Sequence, residues 1–274
     1  MTAEAVSSTT KGPDATRVRV PDWMYPILAL VVVIAIWDIG VRVFDVKAFI
    51  LPPPWKMMTA LFKNWTSLSL AMLYTLMEIM AGFAMSVIVG VGLAIAIVSA
   101  RILEKTVFPL IVGSQVIPKV AIAPLFVIWF GFGITPKILI AFLISFFPII
   151  ISTVIGLRSI DLLKLHLARS MGASPAQVFF RFRLPNAMPA IFGGLKLSIT
   201  AAVIGAIVGE FIGSDKGIGR ILLIANGNLD TDVLFAGILI LSIVGVVLFL
   251  IIDVIERIVI RWHVSQRLKH GVVL

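Results

Sequence analysis

The sequence predicts an all-α membrane protein of six transmembrane helices, with one long polar loop between the fourth and fifth. Three observations carry this. Of 274 residues, 60% are hydrophobic and only 14% charged, and the mean hydropathy is +1.11, far above what a soluble domain with a single core shows. Six apolar runs each approach or exceed the roughly 20 residues needed to cross a bilayer. The Lys and Arg residues fall unequally on alternate loops, as positive charge does around membrane spans.

Residues 1–22, "MTAEAVSSTTKGPDATRVRVPD", are polar and rich in Ser and Thr. They read as a disordered cytoplasmic tail, since no short apolar region precedes a small-residue cleavage site. The membrane domain is expected over residues 23–262, with spans at about Met24–Phe44, Leu68–Ser99, Val107–Phe130, Ile134–Leu157, Met188–Ile212 and Val233–Ile260, and a cytoplasmic tail over 263–274. The second and sixth runs exceed the bilayer's need and should tilt or extend past it. With the N-terminus inside, fourteen Lys and Arg residues lie on inner segments and seven on outer ones. Both termini and the loop at 158–187 are therefore expected in the cytoplasm, and the chain in a bacterial inner membrane.

Composition also excludes. There is no cysteine, so disulfides, thiolate metal sites and thiol nucleophiles are absent. The three histidines, His166, His263 and His270, are too scattered for a metal cluster. The net charge of +9 is read as membrane topology, so no nucleic-acid partner is expected. An intramembrane enzyme finds no support either, for no nucleophile stands beside a base at suitable spacing.

The polar loop carries more than a connection needs. "DLLKLHLARS", Asp161 to Ser170, has an acidic start suited to a helix N-terminus. Gly172 offers a turn, flanked by Met171 and Ala173. Ser174 and Pro175 read as an N-cap and first helical residue, so a second short helix should run to about Arg183, where Leu184 and Pro185 stop it. That helix would carry Val178, Phe179 and Phe182 with Arg181 and Arg183 beside them. Two turns of helix do not persist alone in water. The chain's own inner-leaflet surface and a separate cytoplasmic partner could each receive it.

The segment "HLARSMGASPAQVFFRFRLPNAMPAIFGGLKLSI" resembles the cytoplasmic loop of the permease subunits of binding-protein-dependent ABC importers, whose pattern is E-A-A, three residues, G, then about nine residues to I-x-L-P. Ala168, Gly172, Ala173, Phe179, Leu184, Pro185 and Pro189 fall where that pattern expects them. "FILPPPWKMMTALF" (49–62), "VIPKVAIAPLFVIWFGFGITPKILIAFLISFFPIIIST" (116–153) and "GEFIGSDKGIGRILLIANGNLDT" (209–231) look like the nitrate, sulfonate, taurine and bicarbonate branch. The resemblance covers nearly the whole chain past the first tail. His166 and Leu167 stand where the family has Glu and Ala, and Glu78 where relatives commonly carry Arg.

The resemblance implies a permease forming the path of a small, anionic, nitrate-, sulfonate- or taurine-like solute. Its loop would dock in a groove of a separate ATP-binding subunit, which holds ATP and magnesium, while this chain binds no cofactor. Gly172 and Ala173 would form the bend, and Phe179, Arg181 and Phe182 the contacts. Ala168 belongs to the same docking set, and Leu184 and Pro185 would mark the hand-over to the fifth span. A periplasmic or lipoprotein solute-binding protein, a second copy of the chain and the lipid bilayer are the other partners implied. The chain has no G-x-x-x-x-G-K-[ST], so ATP hydrolysis is expected from the partner. "GSDKGIG" (213–219) lacks that order and reads as a flexible outer loop.

Charges inside spans face a bundle interior or a water path. Asp38 and Arg42, four apart, read as a pair within one helix, and Asp253 and Glu256 can reach Arg257 or headgroup water. Glu78, Lys119 and Glu210, with Ser114 and Gln115, are the pathway candidates. A Glu210–Lys119 pair could line the path or be purely structural. Gly193, Gly194, Ser198, Gly205 and Gly209 give the fifth span a thin face for close helix approach. Pro118 and Pro124 are expected to interrupt the third. The alternative is an ion- or proton-coupled secondary transporter, in which Glu78, Lys119 and Glu210 would carry coupling.

Overall fold

The computed structural model describes residues 24–261, and every regular element among them is a helix. The tails expected over 1–22 and 263–274 lie outside the described residues, as do His263 and His270. The chain divides into two compact units, up to Lys47 and from Ala48 onward.

The first unit holds α1, Met24–Val43. Within it Arg42 reaches Asp38 at 2.8 Å one turn away, the intrahelical pair that the four-residue spacing predicts.

The second unit opens with α2, Pro54–Lys63, an amphipathic helix to which the sequence analysis assigned no element. Pro54 starts it, where a missing N–H costs nothing. Then come α3 (Trp65–Ser99), α4 (Arg101–Ser114), α5 (Lys119–Phe130) and α6 (Ile134–Arg158). The loop region holds α7 (Leu162–Ser170) and α8 (Pro175–Val178), followed by α9 (Leu184–Gly213), α10 (Ile218–Gly227) and α11 (Thr231–Val259). Five helices are long and apolar enough to cross a membrane, and α4 with α5 make a sixth span if a 98° bend is counted within it.

That bend departs from the single third span read over 107–130. Pro118 is the residue before α5 and carries the break; Pro124 sits inside an unbroken α5. Only one of the two prolines therefore interrupts the span.

The core is a slab of three long helices, with α6 in the middle between α3 and α9. Small residues set the spacing. A methyl built on Gly82 of α3 would lie 2.6 Å from the Ala141 Cβ, and one on Gly205 of α9 would lie 2.6 Å from the Ala141 Cα. Ala141 of α6 is fully buried between them. Backbones this close exchange polar contacts: Ser86 and Ser145 share a 2.6 Å hydrogen bond, and the Ser198 hydroxyl donates to the Ser145 carbonyl at 2.7 Å. Gly194 and Gly209 also face α6, against Ser152 and Lys137. Gly193 does not: nothing lies within 4 Å of where its Cβ would be.

Candidate functional site

Two polar regions sit at opposite ends of α9. From Arg183 to Glu210 the rise of 1.5 Å per residue separates them by about 40 Å.

At the first end is the loop. Asp161 Oδ1 accepts the Leu163 N–H at 2.9 Å and starts α7. The helix ends at Gly172, whose φ of +77° is the left-handed conformation that favours glycine. The Ala173 N–H reaches back to the Ala168 carbonyl at 3.1 Å and the Gly172 N–H to Arg169 at 3.0 Å. This is a Schellman ending, completed by the packing of Ala173 on the cluster that holds Ala168. Ser174 then caps α8 through a reciprocal pair: the Gln177 N–H donates to Ser174 Oγ at 3.3 Å and the Ser174 N–H to Gln177 Oε1 at 2.8 Å.

The stop expected at Leu184 and Pro185 is absent. Residues 179–183 form one π-helical turn, in which the Leu184 N–H donates to the Phe179 carbonyl, and the helix runs on as α9. Pro185 has no N–H and its ring crowds the preceding turn; a widened turn accommodates both defects without breaking the rod. Residues 175–213 are thus one continuous apolar rod.

The loop's side chains sort into two sets. Ile160, Leu165, Ala168 and Val178 bury one another, and Phe179 packs with Leu157, Ala187 and Ile191 on the body of the protein. Ala168 and Phe179, placed by the family pattern in the docking surface, are therefore packing residues of the chain itself. Leu162, Leu163, Leu167 and Met171 instead stand exposed, Leu163 by 75% and Met171 by 79%, with Phe180 and Phe182 also open. Arg181 is exposed beside them, and Leu184 and Pro185 are half-buried. The sequence analysis missed the leucines of α7, although their 1, 2, 6 spacing in "LLKLHL" leaves only Leu165 on the inner face.

At the other end, the polar groups partner one another, except that one oxygen of Glu78, Oε2, is buried without a hydrogen bond. Lys137, in the first turn of α6, forms an ion pair with Glu78 of α3 and donates to Ser214 Oγ at 2.9 Å. Glu210 accepts the Thr75 hydroxyl at 2.7 Å and the Gly219 N–H at 2.5 Å, while Thr75 Oγ1 accepts the Ile218 N–H at 2.9 Å. Glu78 and Glu210 are each 1% exposed. Beside them is a cavity of about 290 Å³ bordered by Tyr74, Lys137, Asp215 and Lys216.

Here "GSDKGIG" is not a free loop. Gly217 has φ +106° and precedes α10, and any Cβ on it would overlap the Glu210 carboxylate. The glycines let the backbone close over the buried acid. The Glu210–Lys119 pair is overturned. Lys119 lies at the α4–α5 bend, donating to the Gln115 carbonyl at 3.3 Å, 4.6 Å from the Phe147 ring centre. Ser114 is there too, bonded to the Ile111 carbonyl at 2.8 Å. The five pathway candidates therefore fall into two groups, Glu78 with Glu210 and Ser114, Gln115 with Lys119. The partner of Glu78 is Lys137.

A third cluster staples α9 to α11. Lys196 reaches Asp253 at 2.5 Å and also pairs with Glu256, and Asp253 accepts from Arg257 Nε at 2.8 Å. Arg257 is the partner expected of Asp253; Lys196 is the one not foreseen. Among the described residues no three His, Asp or Glu side chains gather closely enough to hold a metal ion.

A helix pair bent at Gly172 between two long spans is the geometry the family pattern implied. Comparison decides it. Residues 86–262 match the family described as binding-protein-dependent transport system inner membrane component. The chain belongs to this family. It is 35% identical to the riboflavin transport system permease protein RibX of Chloroflexus aurantiacus, over 87% of this chain and 90% of the other. It is also 35% identical to the formylaminopyrimidine transport permease protein ThiX of Halalkalibacterium halodurans, over 88% and 96%. With the taurine transport system permease protein TauC of Escherichia coli the identity is 29%, over 85% and 88%. The chain is thus a multi-pass membrane permease of an ABC transporter, a membrane component whose ATPase is a separate subunit. An ATPase and a substrate-binding protein are its partners by family.

Proposed function

We propose that this permease forms half of an importer's translocation path and receives the ATPase stroke through residues 158–187. The observation that carries the reading is the exposed apolar set Leu162, Leu163, Leu167 and Met171 on a helix pair held at a fixed angle by the Gly172 ending and the Ser174 cap. A short helix leaving four large apolar groups in water is completed by a groove. Arg181, Phe180 and Phe182 flank that contact, while Ala168, Ala173 and Phe179 hold the helices in place from behind. The loop then faces the cytoplasm, and both termini with it.

One chain supplies one bundle, so two copies are taken to enclose the path, each with an ATPase subunit that binds ATP and magnesium. Glu78 and Glu210, with Lys137, close the outer end of each bundle, and the α4–α5 bend with Ser114, Gln115 and Lys119 borders the path. The cargo is a small solute delivered by a binding protein. The taurine relative supports the anionic class implied by the family resemblance, and the riboflavin and formylaminopyrimidine relatives extend it to heteroaromatic compounds.

The test is co-purification of this chain with the ATPase subunit, comparing wild type with Leu163→Asp/Met171→Asp. Stoichiometric ATPase on the wild type and its loss from a variant that still inserts and runs as a single species is the expected result. Equal retention by both places docking elsewhere and ends the assignment.

A further inference from the structure

A second pocket, of about 780 Å³, lies between the end of α3 and the turn from α7 to α8. Its walls include Ile95, Val98 and Ser99 on one side and Arg169, Phe180 and Arg183 on the other. No Asp or Glu lines it. Arg183 Nε is buried there without a hydrogen-bond partner, and neither Arg169 nor Arg183 has an ion pair among the described residues. Some other cations of this unit do meet carboxylates: Arg158 meets Glu104 at 3.0 Å, and Lys196 and Arg257 share Asp253.

A buried guanidinium donor left open carries a desolvation cost that an acceptor removes. Two arginines with no carboxylate between them ask for an anion, and the planar fork of Arg suits phosphate oxygens. The apolar half of the pocket identifies the source. Ile95 and Val98 belong to the last turn of a membrane-spanning helix that ends at Ser99, the level at which hydrocarbon gives way to headgroups. Phe180, exposed beside them, is the kind of residue that settles at that boundary. A free anion uses the arginines alone; a phospholipid uses both halves.

We propose that this pocket binds a phosphate group, supplied by an anionic phospholipid of the inner leaflet. Arg169 and Arg183 hold the phosphodiester, and Ile95 and Val98 the first methylenes of a chain. The site rests on the reading of the loop as cytoplasmic. A lipid held there braces α3 against the turn that sets the angle of α7.

The experiment is native mass spectrometry of the full chain, alone and with its ATPase subunit, from micelles doped with equal phosphatidylglycerol and phosphatidylcholine. Wild type should retain phosphatidylglycerol selectively, and Arg183→Gln should weaken retention about tenfold. Arg169→Gln, on an exposed position, gives the same direction should Arg183→Gln fold poorly, and Arg183→Lys should restore part of the binding. If inorganic phosphate binds with the same arginine dependence while the lipid does not, the lipid source is overturned. Unchanged lipid retention in both Gln variants overturns the site itself. Loss of the ATPase with lipid retention intact assigns the arginines to the subunit contact and also ends the proposal, whereas lipid loss with normal ATPase retention leaves the coupling reading untouched.

Discussion

The two ends of α9 solve opposite problems. Around Glu210, charged and polar groups that would be ruinous in a membrane are closed off by one another: Lys137 on Glu78, Thr75 and the Gly219 N–H on Glu210. Around Gly172, apolar groups that would be stable inside a core stand in the open, Leu163 and Met171 above all. The first end is closed almost entirely by its own groups, one Glu78 oxygen alone being left without a partner there. The second is built to be completed by something else, and its shape is held by caps, a left-handed glycine and a small buried cluster on its inner face.

The most severe way to break the contrast is to open the closed end. Lys137→Met removes the cation paired with the buried Glu78 carboxylate, and such losses cost about 3–5 kcal/mol. The expected outcome is a large fall in thermal stability of the detergent-solubilised protein, read by fluorescence-detected gel filtration. Glu78→Met added to it should recover part of that loss, since the double change leaves one buried charge fewer. A Lys137→Met protein as stable as wild type would show that the network is hydrated and not closed.

At the open end the expected cost falls on association. Leu163→Asp with Met171→Asp should leave the melting temperature within about 2 °C of wild type, because surface changes move stability little. ATPase retention should fall by about thirtyfold or more, the effect of losing a central apolar anchor of roughly 2 kcal/mol. Gly217→Ala returns to the closed end with a smaller blow. A Cβ there would overlap the Glu210 carboxylate at a backbone φ of +106°, for a strain of about 1–3 kcal/mol. Transport should fall with stability, since closure over Glu210 is lost; a variant unchanged in both would sink the account of that turn.

These two ends were not equally legible in the sequence. The loop was readable because its signals are local: Gly172, Ser174 and Pro175 mark two helix ends within four residues, and the helices follow. Five of the six spans were readable for a similar reason, each being a run of apolar residues of membrane length, whereas the third is broken into α4 and α5. The closed end was not, because Thr75, Glu78, Lys137 and Glu210 come from three distant helices, and nothing local says that Lys137 lies under the first turn of α6 and not in water. Lys119 was a plausible partner for Glu210 only while the third span was straight; the bend at Pro118 gives it Gln115 and Phe147 instead. The Leu184–Pro185 stop failed for a subtler cause. A proline ends a regular helix, but a π turn lets the rod continue, and no residue pattern in "FFRFRLP" separates the two outcomes.

The smallest change separates shape from burial most cleanly. Ser174→Ala deletes half of the reciprocal cap on α8, and losing such a cap costs about 1 kcal/mol. The residue is exposed and touches no core cluster. If the open end is held by local caps, global melting should not move, because α8 frays without unfolding the slab of α3, α6 and α9. Substrate-stimulated ATPase activity in the reconstituted complex should drop about fivefold, as about 1 kcal/mol shifts the population of the docking-competent angle. Ser174→Asp, which also caps, should restore it. A fall in melting temperature that tracks the loss of activity would instead mean that the helix pair is part of the bundle's core, and the contrast between the two ends would be one of degree.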